Sequence, residues 1–330
     1  MKAAYLKETG PPEVIQYGDL PTPKPAGTEI LVRVQAVAVN PIDTYIRGGA
    51  NFFELPLPYI VGCDVAGVVD ETGPAASRFR PGDRVWGSNQ GVLGRQGTFA
   101  EFALVDEAWL YPTPDAVTDE QAAAIALVGI TAHLGLFHKA NLTAGDTLFV
   151  NGGTGGVGST VVQMAKLKGA TVITTAGSDE KVAACLALGA EHAFPYKTTD
   201  VAKAVRERAP EGVNVYWETV REPDLERAVD MLAPGGRLIL MAGRTATPPF
   251  PVGPFYAKGC SAYGFVMFAA EAEQQRQCAE DINRWVASGQ LLPQIDCVLP
   301  LSDTAAAHQL QEQNTIARSG TLAGKIVLRP

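Results

Sequence analysis

The sequence has few cysteines and no close pair of them. The five cysteines, scattered along 330 residues, are Cys63, Cys185, Cys260, Cys278 and Cys297. An odd number at such spacing argues against a disulfide framework and lacks the clustered ligands of a structural zinc site. A reducing compartment is therefore expected, and we predict a cytoplasmic protein.

Runs of basic residues and long apolar runs are also missing. The formal net charge is -8, and no segment is rich in lysine or arginine. The electrostatic footprint of a protein that binds nucleic acid or an anionic membrane is therefore absent. The most apolar windows, 122–136 and 238–243, are expected to be too short or too interrupted to span a bilayer, and residues 1–10 do not read as a signal sequence. We predict no nucleic-acid and no membrane partner.

The composition that is present indicates a turn-rich protein of two lobes. Hydrophobic residues make up 46% of the chain, and 34 residues are glycine, which is typical of a globular protein of this length. From Lys2 to about Asp106, β-branched or alternating runs broken by Pro and Gly predict a β-rich lobe. Thr118, followed by Glu120 and Gln121, predicts the cap of a helical connector.

Strand-like and helix-like segments alternate after Asp146. This alternation predicts a doubly wound parallel sheet with right-handed crossovers, an α/β fold of the Rossmann type. The final KIVLRP is expected to return to the first lobe as a strand. The predicted domains are a β-rich lobe at 1–122, completed by 268–330, and a Rossmann lobe at 123–267.

A glycine-dense turn follows the first strand of this sheet. The run TLFVNGGTGGVGSTVVQMAKLKGA reads as a strand, a turn and a helix, the context that a dinucleotide-binding fingerprint requires. Bare backbone N–H groups at the start of the helix let a pyrophosphate approach. The residues predicted to bind it are Gly153, Gly155, Gly156, Val157 and Gly158.

The next strand ends without an acidic residue. An NAD enzyme places a carboxylate about twenty residues after the glycines to bind the ribose 2′-hydroxyl, whereas this chain has Ala176, Gly177 and Ser178 there. The small, uncharged strand end leaves room for a 2′-phosphate, which Lys181 would neutralise. NADPH is therefore the predicted cofactor. In the structural alternative, Ser178 caps a helix and Lys181 lies on its exposed face.

With these residues, the chain resembles the medium-chain dehydrogenase/reductase superfamily, and within it the zeta-crystallin-type NADPH:quinone oxidoreductases. The likeness covers nearly the whole chain and rests on NPIDTYIRGG at 40–49, LPYIVGCDVAGVV at 57–69, PGDRV at 81–85, NGGTGGVG at 151–158 and AGKIVL at 323–328. It implies a GroES-like β-rich lobe together with the Rossmann lobe, NADPH as the cofactor and a quinone as the substrate.

The zinc ligands of the superfamily's alcohol dehydrogenases are missing. Those enzymes place a cysteine near position 40 and a Gly-His-Glu triplet where this chain has Asn40 and Gly62, Cys63 and Asp64, and they carry four close cysteines where 88–102 has none. A catalytic zinc needs three converging protein ligands. We therefore predict a zinc-free enzyme. A quinone suits such a site, since its reduced anion is already delocalised and positioning with a few hydrogen bonds suffices.

The resemblance also assigns roles to individual residues. Tyr45 becomes the candidate hydrogen-bond donor to the substrate oxygen, with Asn40 and Asp43 lining the substrate site and Thr131 beneath the nicotinamide ring. In the structural alternative the Tyr45 ring packs on a turn. Besides Gly177, Ser178 and Lys181 at the end of the second strand, the cofactor-binding residues that the likeness implies are Tyr196, Gly243, Phe265, Val266, Met267 and Lys325.

Three rival functions stay open: a zinc-dependent alcohol dehydrogenase, a zinc-free enal or enoyl reductase, and an NADPH-binding structural or RNA-associated protein. The negative net charge argues against binding to RNA.

A homodimer is also predicted, with a tetramer left open. The segment from Cys260 to Ala270 contains no charge and no proline, so residues 262–268 are expected to form an unprotected edge strand that pairs with a second copy.

Overall fold

The computed structural model describes residues 1–50, 53–317 and 319–330 and divides the chain into two units. The first unit contains Met1–Ile130, Ala270–Gly289 and Pro293–Pro330, and the second contains Thr131–Ala269 and Gln290–Leu292. The domain ranges read from the sequence stay a prediction.

The first unit is built mainly of antiparallel strands. One of its sheets has the order β2-β1-β4 and the other β15-β16-β3-β5-β6-β8, with β7 also paired to β3. Numbered along the whole chain, its strands are β1 (Lys2–Leu6), β2 (Gln16–Asp19), β3 (Glu29–Ala38), β4 (Tyr59–Ile60), β5 (Val65–Thr72), β6 (Arg84–Gly87), β7 (Phe102–Asp106), β8 (Leu110–Pro112), β15 (Ile295–Pro300) and β16 (Lys325–Arg329). Gly27 (φ 52°) and Gly82 (φ 95°) adopt backbone conformations that favour glycine.

The chain's last strand completes the main sheet of this unit. Strand β16 pairs antiparallel with β3 and parallel with β15, so the predicted return of KIVLRP to the first lobe is confirmed. The helices α1 (Pro41–Arg47), α8 (Ala272–Ala287) and α9 (Thr304–Thr315) belong to this unit, and so does α2 (Asp119–His133) as far as Ile130. Short 3-10 segments lie at Pro12–Val14, Glu107–Trp109 and Leu301–Asp303.

Helix α2 begins at a capping box. Thr118 Oγ1 accepts a hydrogen bond from Gln121 N (3.2 Å), and Gln121 Oε1 accepts one from Thr118 N (3.0 Å), so the predicted cap is confirmed. A π-helical turn, Leu134–Lys139, continues the helix to 21 residues, long and apolar enough by length and composition alone to cross a membrane. The expectation that this stretch is too short was therefore wrong. However, 78% of its most apolar window is buried inside the protein, as in a core helix.

The second unit contains the predicted parallel sheet. Its order is β11-β10-β9-β12-β13-β14, and every neighbouring pair in it is parallel. The strands are β9 (Thr147–Asn151), β10 (Thr171–Ala176), β11 (His192–Pro195), β12 (Val213–Glu218), β13 (Leu232–Leu240) and β14 (Ser261–Gly264). The helices are α3 (Gly156–Lys168), α4 (Asp179–Ala187), α5 (Val201–Arg208), α6 (Leu225–Met231) and α7 (Val252–Ala257), with a 3-10 segment at Met267–Ala269.

A buried apolar cluster holds this sheet against α5 and α6. Phe149 and Tyr216 on adjacent strands pack with ring centroids 4.9 Å apart, and Val205 and Met231 of the two helices are almost fully buried. Each such buried side chain contributes roughly 1.5–3 kcal/mol. The core fixes the carboxyl ends of the parallel strands, where ligands bind in folds of this kind.

Two details differ from the sequence-based expectations. The edge strand β14 ends at Gly264 rather than near Phe268, because the chain turns into the 3-10 segment that begins at Met267. Helix α1 was not predicted, since its seven residues lie within a strand-rich region. Asn40 caps it, Pro41 is its first residue, and the Asp43 side chain accepts a hydrogen bond from Asn40 N at 2.7 Å.

Candidate active site

The glycine-rich turn lies at the carboxyl end of β9 and opens helix α3. The turn is attached to β10, since Thr175 Oγ1 accepts from Gly152 N (3.0 Å) and Thr175 O accepts from Gly153 N (2.9 Å). The first N–H groups of a helix have no partner within it. These N–H groups, together with the positive end of the helix dipole, make the start of α3 at Gly155 a suitable binding site for an anion.

The three fingerprint glycines have different surroundings. A Cβ at Gly158 would lie 2.0 Å from Gly152 O, and one at Gly153 would lie 2.4 Å from Thr174 Oγ1, so both glycines permit close packing of turn, helix and strand. A Cβ at Gly155 meets nothing within 4 Å. Gly155 thus has open space in front of it, where the fingerprint requires close approach of a pyrophosphate to the backbone. The site fits the diphosphate of a dinucleotide.

The end of β10 has the small, uncharged character that the sequence predicted. Tyr196, half exposed, follows β11, and its hydroxyl would lie 3.2 Å from a Cβ at Gly177, so the structure brings these two predicted residues together. Ser178 caps α4, because its Oγ accepts from Lys181 N at 3.4 Å. The capping alternative for Ser178 is therefore confirmed, and the partly buried Lys181 lies in the first turn of that helix.

The remaining predicted cofactor residues of the second unit follow β13 and β14. Gly243 adopts a left-handed conformation (φ 86°) after β13. The Phe265 ring meets the buried Trp217 ring edge to face at a centroid distance of 6.4 Å, Val266 is exposed and Met267 is buried. Their contacts to the cofactor stay a prediction.

A buried polar pair, Asn151 and Glu218, was not among the predicted site residues. The two side chains end the adjacent strands β9 and β12, and Asn151 Nδ2 donates to both carboxylate oxygens at 2.9 and 3.1 Å. Burial raises the pKa of Glu218, opposed by a hydrogen bond from Val220 N. The sheet order reverses between these strands, which is where ligands bind in doubly wound sheets. The sequence signal that could have identified this pair is a polar residue at the end of each of two apolar strands.

A second buried polar cluster occupies the first unit. Asn40 Nδ2 donates to Asp64 Oδ2 (2.8 Å), and Leu127 N donates to Asp64 Oδ1 (3.1 Å). Lys325 Nζ donates to a main-chain carbonyl (2.7 Å) and to Asn40 Oδ1, and lies 3.8 Å from Asp64 Oδ2. The structure therefore joins the predicted residues Asn40 and Lys325. Sequence reasoning missed Asp64 as their partner, because the contacts link positions far apart in the chain.

Burial dominates the protonation of this cluster. It raises the pKa of Asp64 and lowers that of Lys325, while each opposes the shift of the other through its charge. The pKa of Asp43 rises to about 7, mainly through burial, although the adjacent Cys63 thiol lowers it. Burial and the neighbouring Asp43 raise the pKa of the Cys63 thiol, which is fully buried. Cys63 is thus a protonated core residue.

The two other predicted catalytic residues lie on helices. Tyr45 is half buried on α1, two residues after Asp43, and Thr131 is buried near the end of α2. Tyr45 belongs to the first unit and Thr131 to the second. Their catalytic roles stay predictions.

A mostly antiparallel β unit combined with a doubly wound sheet that carries a dinucleotide turn defines a two-unit dehydrogenase or reductase. Two families match the chain: the alcohol dehydrogenase GroES-like domain at residues 26–115, and the zinc-binding dehydrogenase family at residues 156–284. The quinone oxidoreductase of Sus scrofa is 33% identical over 99% of this chain and 97% of its own length. The chain belongs to the quinone oxidoreductases of the medium-chain dehydrogenase/reductase superfamily.

Solved structures agree with this family. An NAD-dependent alcohol dehydrogenase superposes with a TM-score of 0.90 at 33% identity, covering all of both chains. The Escherichia coli quinone oxidoreductase complexed with NADPH superposes with a TM-score of 0.87 at 26% identity, again covering all of both chains. The predicted GroES-like and Rossmann fold is thereby confirmed.

Proposed function

We propose that this protein is an NADPH-dependent quinone reductase that works without zinc, transferring hydride from NADPH to a quinone or a similar electron-poor carbonyl. The observation that carries the proposal is the turn at Gly153–Gly158, where Gly155 leaves room for a diphosphate while its neighbouring glycines are tightly packed. Full-length similarity to quinone oxidoreductases supports the substrate class.

NADPH is favoured over NADH by the end of β10. Neither Gly177 nor Ser178 carries a charge that would repel a 2′-phosphate, and the hydroxyl of Tyr196 stands beside Gly177. Lys181, in the first turn of α4, supplies the cation. Bound NADPH supplies the hydride, and the chain's own residues orient it.

Substrate positioning falls to three residues in this proposal. Tyr45 donates a hydrogen bond to the substrate oxygen, and Thr131 supports the nicotinamide ring. Asn40 is held by Asp64 and Lys325, so it shapes the site with a fixed side chain. Phe265, Val266, Met267 and Gly243 are proposed to contact the nicotinamide end of the cofactor.

Zinc independence is supported by the donor set of the first unit. The Lys325 ammonium lies among Asn40, Asp64 and Cys63, where it would repel a dication, and the Asn40 amide replaces the thiolate that binds zinc well. The raised pKa of the Cys63 thiol also opposes formation of the thiolate ligand. These residues do not fit a catalytic zinc ion.

The remaining proposals concern organisation. We propose functional domains at 1–122 with 268–330 and at 123–267, a cytoplasmic location, and a homodimer formed through β14. That strand is an edge of its sheet, and it carries neither charge nor proline.

The test of the proposed function compares two glycine substitutions. Gly155→Ala places a methyl group where the diphosphate approaches, and its φ of -71° suits alanine. We expect the Michaelis constant for NADPH to rise about tenfold or more while the melting temperature stays unchanged. The control, Gly253→Ala, also meets no atom within 4 Å and should change neither. An unchanged Michaelis constant in Gly155→Ala, or no NADPH oxidation with any quinone by the wild type, would refute the proposal.

A further inference from the structure

A chain of hydrogen bonds links three neighbouring strands of the second unit near their carboxyl ends. Gly152 N donates to Thr175 Oγ1 (3.0 Å), and the Thr175 hydroxyl donates in turn to Asn151 Oδ1 (3.2 Å). Asn151 Nδ2 then donates to both carboxylate oxygens of Glu218, at 2.9 and 3.1 Å. The three side chains that form this strand-end relay, Thr175, Asn151 and Glu218, belong to β10, β9 and β12.

The chemistry of the groups fixes the direction of every bond in the strand-end relay. A backbone N–H only donates, so the Thr175 hydroxyl accepts from Gly152 and has its own proton left for Asn151. The Asn151 amide therefore turns its oxygen to Thr175 and its NH2 group to Glu218, whose carboxylate oxygens accept. Val220 N donates to Glu218 Oε1 at 2.8 Å and holds that acceptor in place. Glu218 thus sets the orientation of each group as far as Gly152.

All three side chains of the strand-end relay are shielded from water. Thr175 and Glu218 are 1% exposed, and Asn151 is 9% exposed. Burying a carboxyl group and an amide is costly, and apolar groups of the same shape are often as stable in such positions. A fully hydrogen-bonded polar network instead holds its members in one defined geometry. The strand-end relay is therefore better suited to fixing positions than to adding stability.

The position that the relay fixes is the start of the dinucleotide turn. The turn is attached to β10 by two bonds to Thr175, one from Gly152 N to its hydroxyl and one from Gly153 N to its main-chain oxygen. Only the first of these bonds depends on a side chain. Gly155 comes three residues after Gly152, so a shift of Gly152 moves the backbone N–H groups that face the diphosphate. Anion binding by such groups depends on their exact placement.

We propose that Glu218 and Thr175 are positioning residues for NADPH, acting through Asn151 and Gly152 on the turn that binds the diphosphate. Neither residue has to contact the cofactor, because the hydrogen bonds of the strand-end relay transmit their effect to the backbone of the turn. The inference rests on the proposed NADPH-dependent function and adds to it the residues that hold the turn in its binding geometry.

Titration of the protein with NADPH, followed by the fluorescence of the bound nucleotide, tests the proposal without a quinone. Thr175→Val keeps the size and β-branching of the side chain and removes only the hydroxyl. We therefore expect the dissociation constant for NADPH to rise about tenfold. Thr174→Val is the matched control, since Thr174 is also buried on β10 but its hydroxyl donates to Val150 O (2.8 Å), outside the relay. Both variants lose one buried hydrogen bond and should lower the melting temperature similarly, whereas only Thr175→Val should lose affinity.

Two variants of Glu218 test its role as the final acceptor of the relay. Glu218→Gln keeps an oxygen that accepts from Val220 N and Asn151 Nδ2, so the affinity for NADPH should stay within about threefold of the wild type. Glu218→Leu removes the acceptor and should weaken NADPH binding about tenfold. In turnover with a quinone, the loss in Thr175→Val should appear in the Michaelis constant for NADPH, while the Michaelis constant for the quinone stays unchanged.

Unchanged affinity in Thr175→Val, or an equal loss in Thr174→Val, would overturn the proposal, because the turn would then not depend on the relay. An equal loss in Glu218→Gln and Glu218→Leu would overturn the role of Glu218 as an acceptor. Thr175→Val decides the outcome even if Glu218→Leu does not fold. Since the titration needs no turnover, a wild type that binds NADPH but reduces no quinone would contradict the proposed function alone.

Discussion

Replacing Asp43 by Asn should make the protein more resistant to unfolding as the pH rises. The folded-state pKa of Asp43 is about 7 against an ordinary value of 3.8, so the folded chain holds a proton that the unfolded chain releases. Between these two values, wild-type stability therefore falls as the pH increases. About three pKa units correspond to at most about 4 kcal/mol. The Asn side chain keeps an oxygen that can accept from Asn40 N.

Urea unfolding followed by tryptophan fluorescence measures this effect, since Trp86 is buried in the same unit. The stability difference between Asp43→Asn and the wild type should be small near pH 4 and should approach about 2–4 kcal/mol above pH 7. Asp19→Asn is the control, because its exposed carboxyl pairs with Lys2 and has a lowered pKa, which gives a pH trend of opposite sign. A stability difference for Asp43→Asn that does not change with pH would refute the reasoning.

The remaining predictions concern cofactor, metal, packing and assembly. Lys181→Glu should raise the Michaelis constant for NADPH by the equivalent of about 1–3 kcal/mol and barely change the Michaelis constant for NADH. Equal effects on both cofactors would mean that Lys181 is only a surface residue of its helix. Phenanthrenequinone reduction should survive prolonged chelation and Cys63→Ser; loss on chelation that zinc restores would contradict this. Gly158→Ala should cost at least about 2 kcal/mol of stability in thermal unfolding, because its Cβ would lie 2.0 Å from a carbonyl oxygen, and an unchanged melting temperature would contradict it. Tyr263→Lys should convert a dimer into a monomer in light scattering, and a wild-type mass near 34.9 kDa would dismiss the dimer.

Local sequence patterns predicted the fold well, whereas contacts between residues that are distant in the chain could not be predicted. The glycine turn was readable because its strand, glycines and helix are consecutive, and the capping box at Thr118 is equally local. The pairing of Asn40 with Asp64 and Lys325 was not, because 285 positions separate Asn40 from Lys325. Hydrophobic periodicity carries no information about which distant polar groups meet.

The same limit applies to the ends of short elements. The end of β14 at Gly264 was not predicted, because the sequence stays apolar through Phe268 although the strand ends and a 3-10 segment begins at Met267. Apolar composition alone does not distinguish a strand from a short 3-10 turn.

The position of β16 in the sheet has a consequence for how the protein is made. The ribosome releases Asn40, Asp43 and Asp64 long before Lys325, the only cation that hydrogen bonds within their cluster among the described residues. Until Lys325 has been made, two carboxylates that are buried in the folded unit lack this cation, and β3 lacks its partner β16. The second unit is almost continuous in sequence and can close first. The sheet of the first unit therefore cannot be completed until β16 has been made, so its amino-terminal strands remain without this partner for longer than the strands of the second unit remain without theirs.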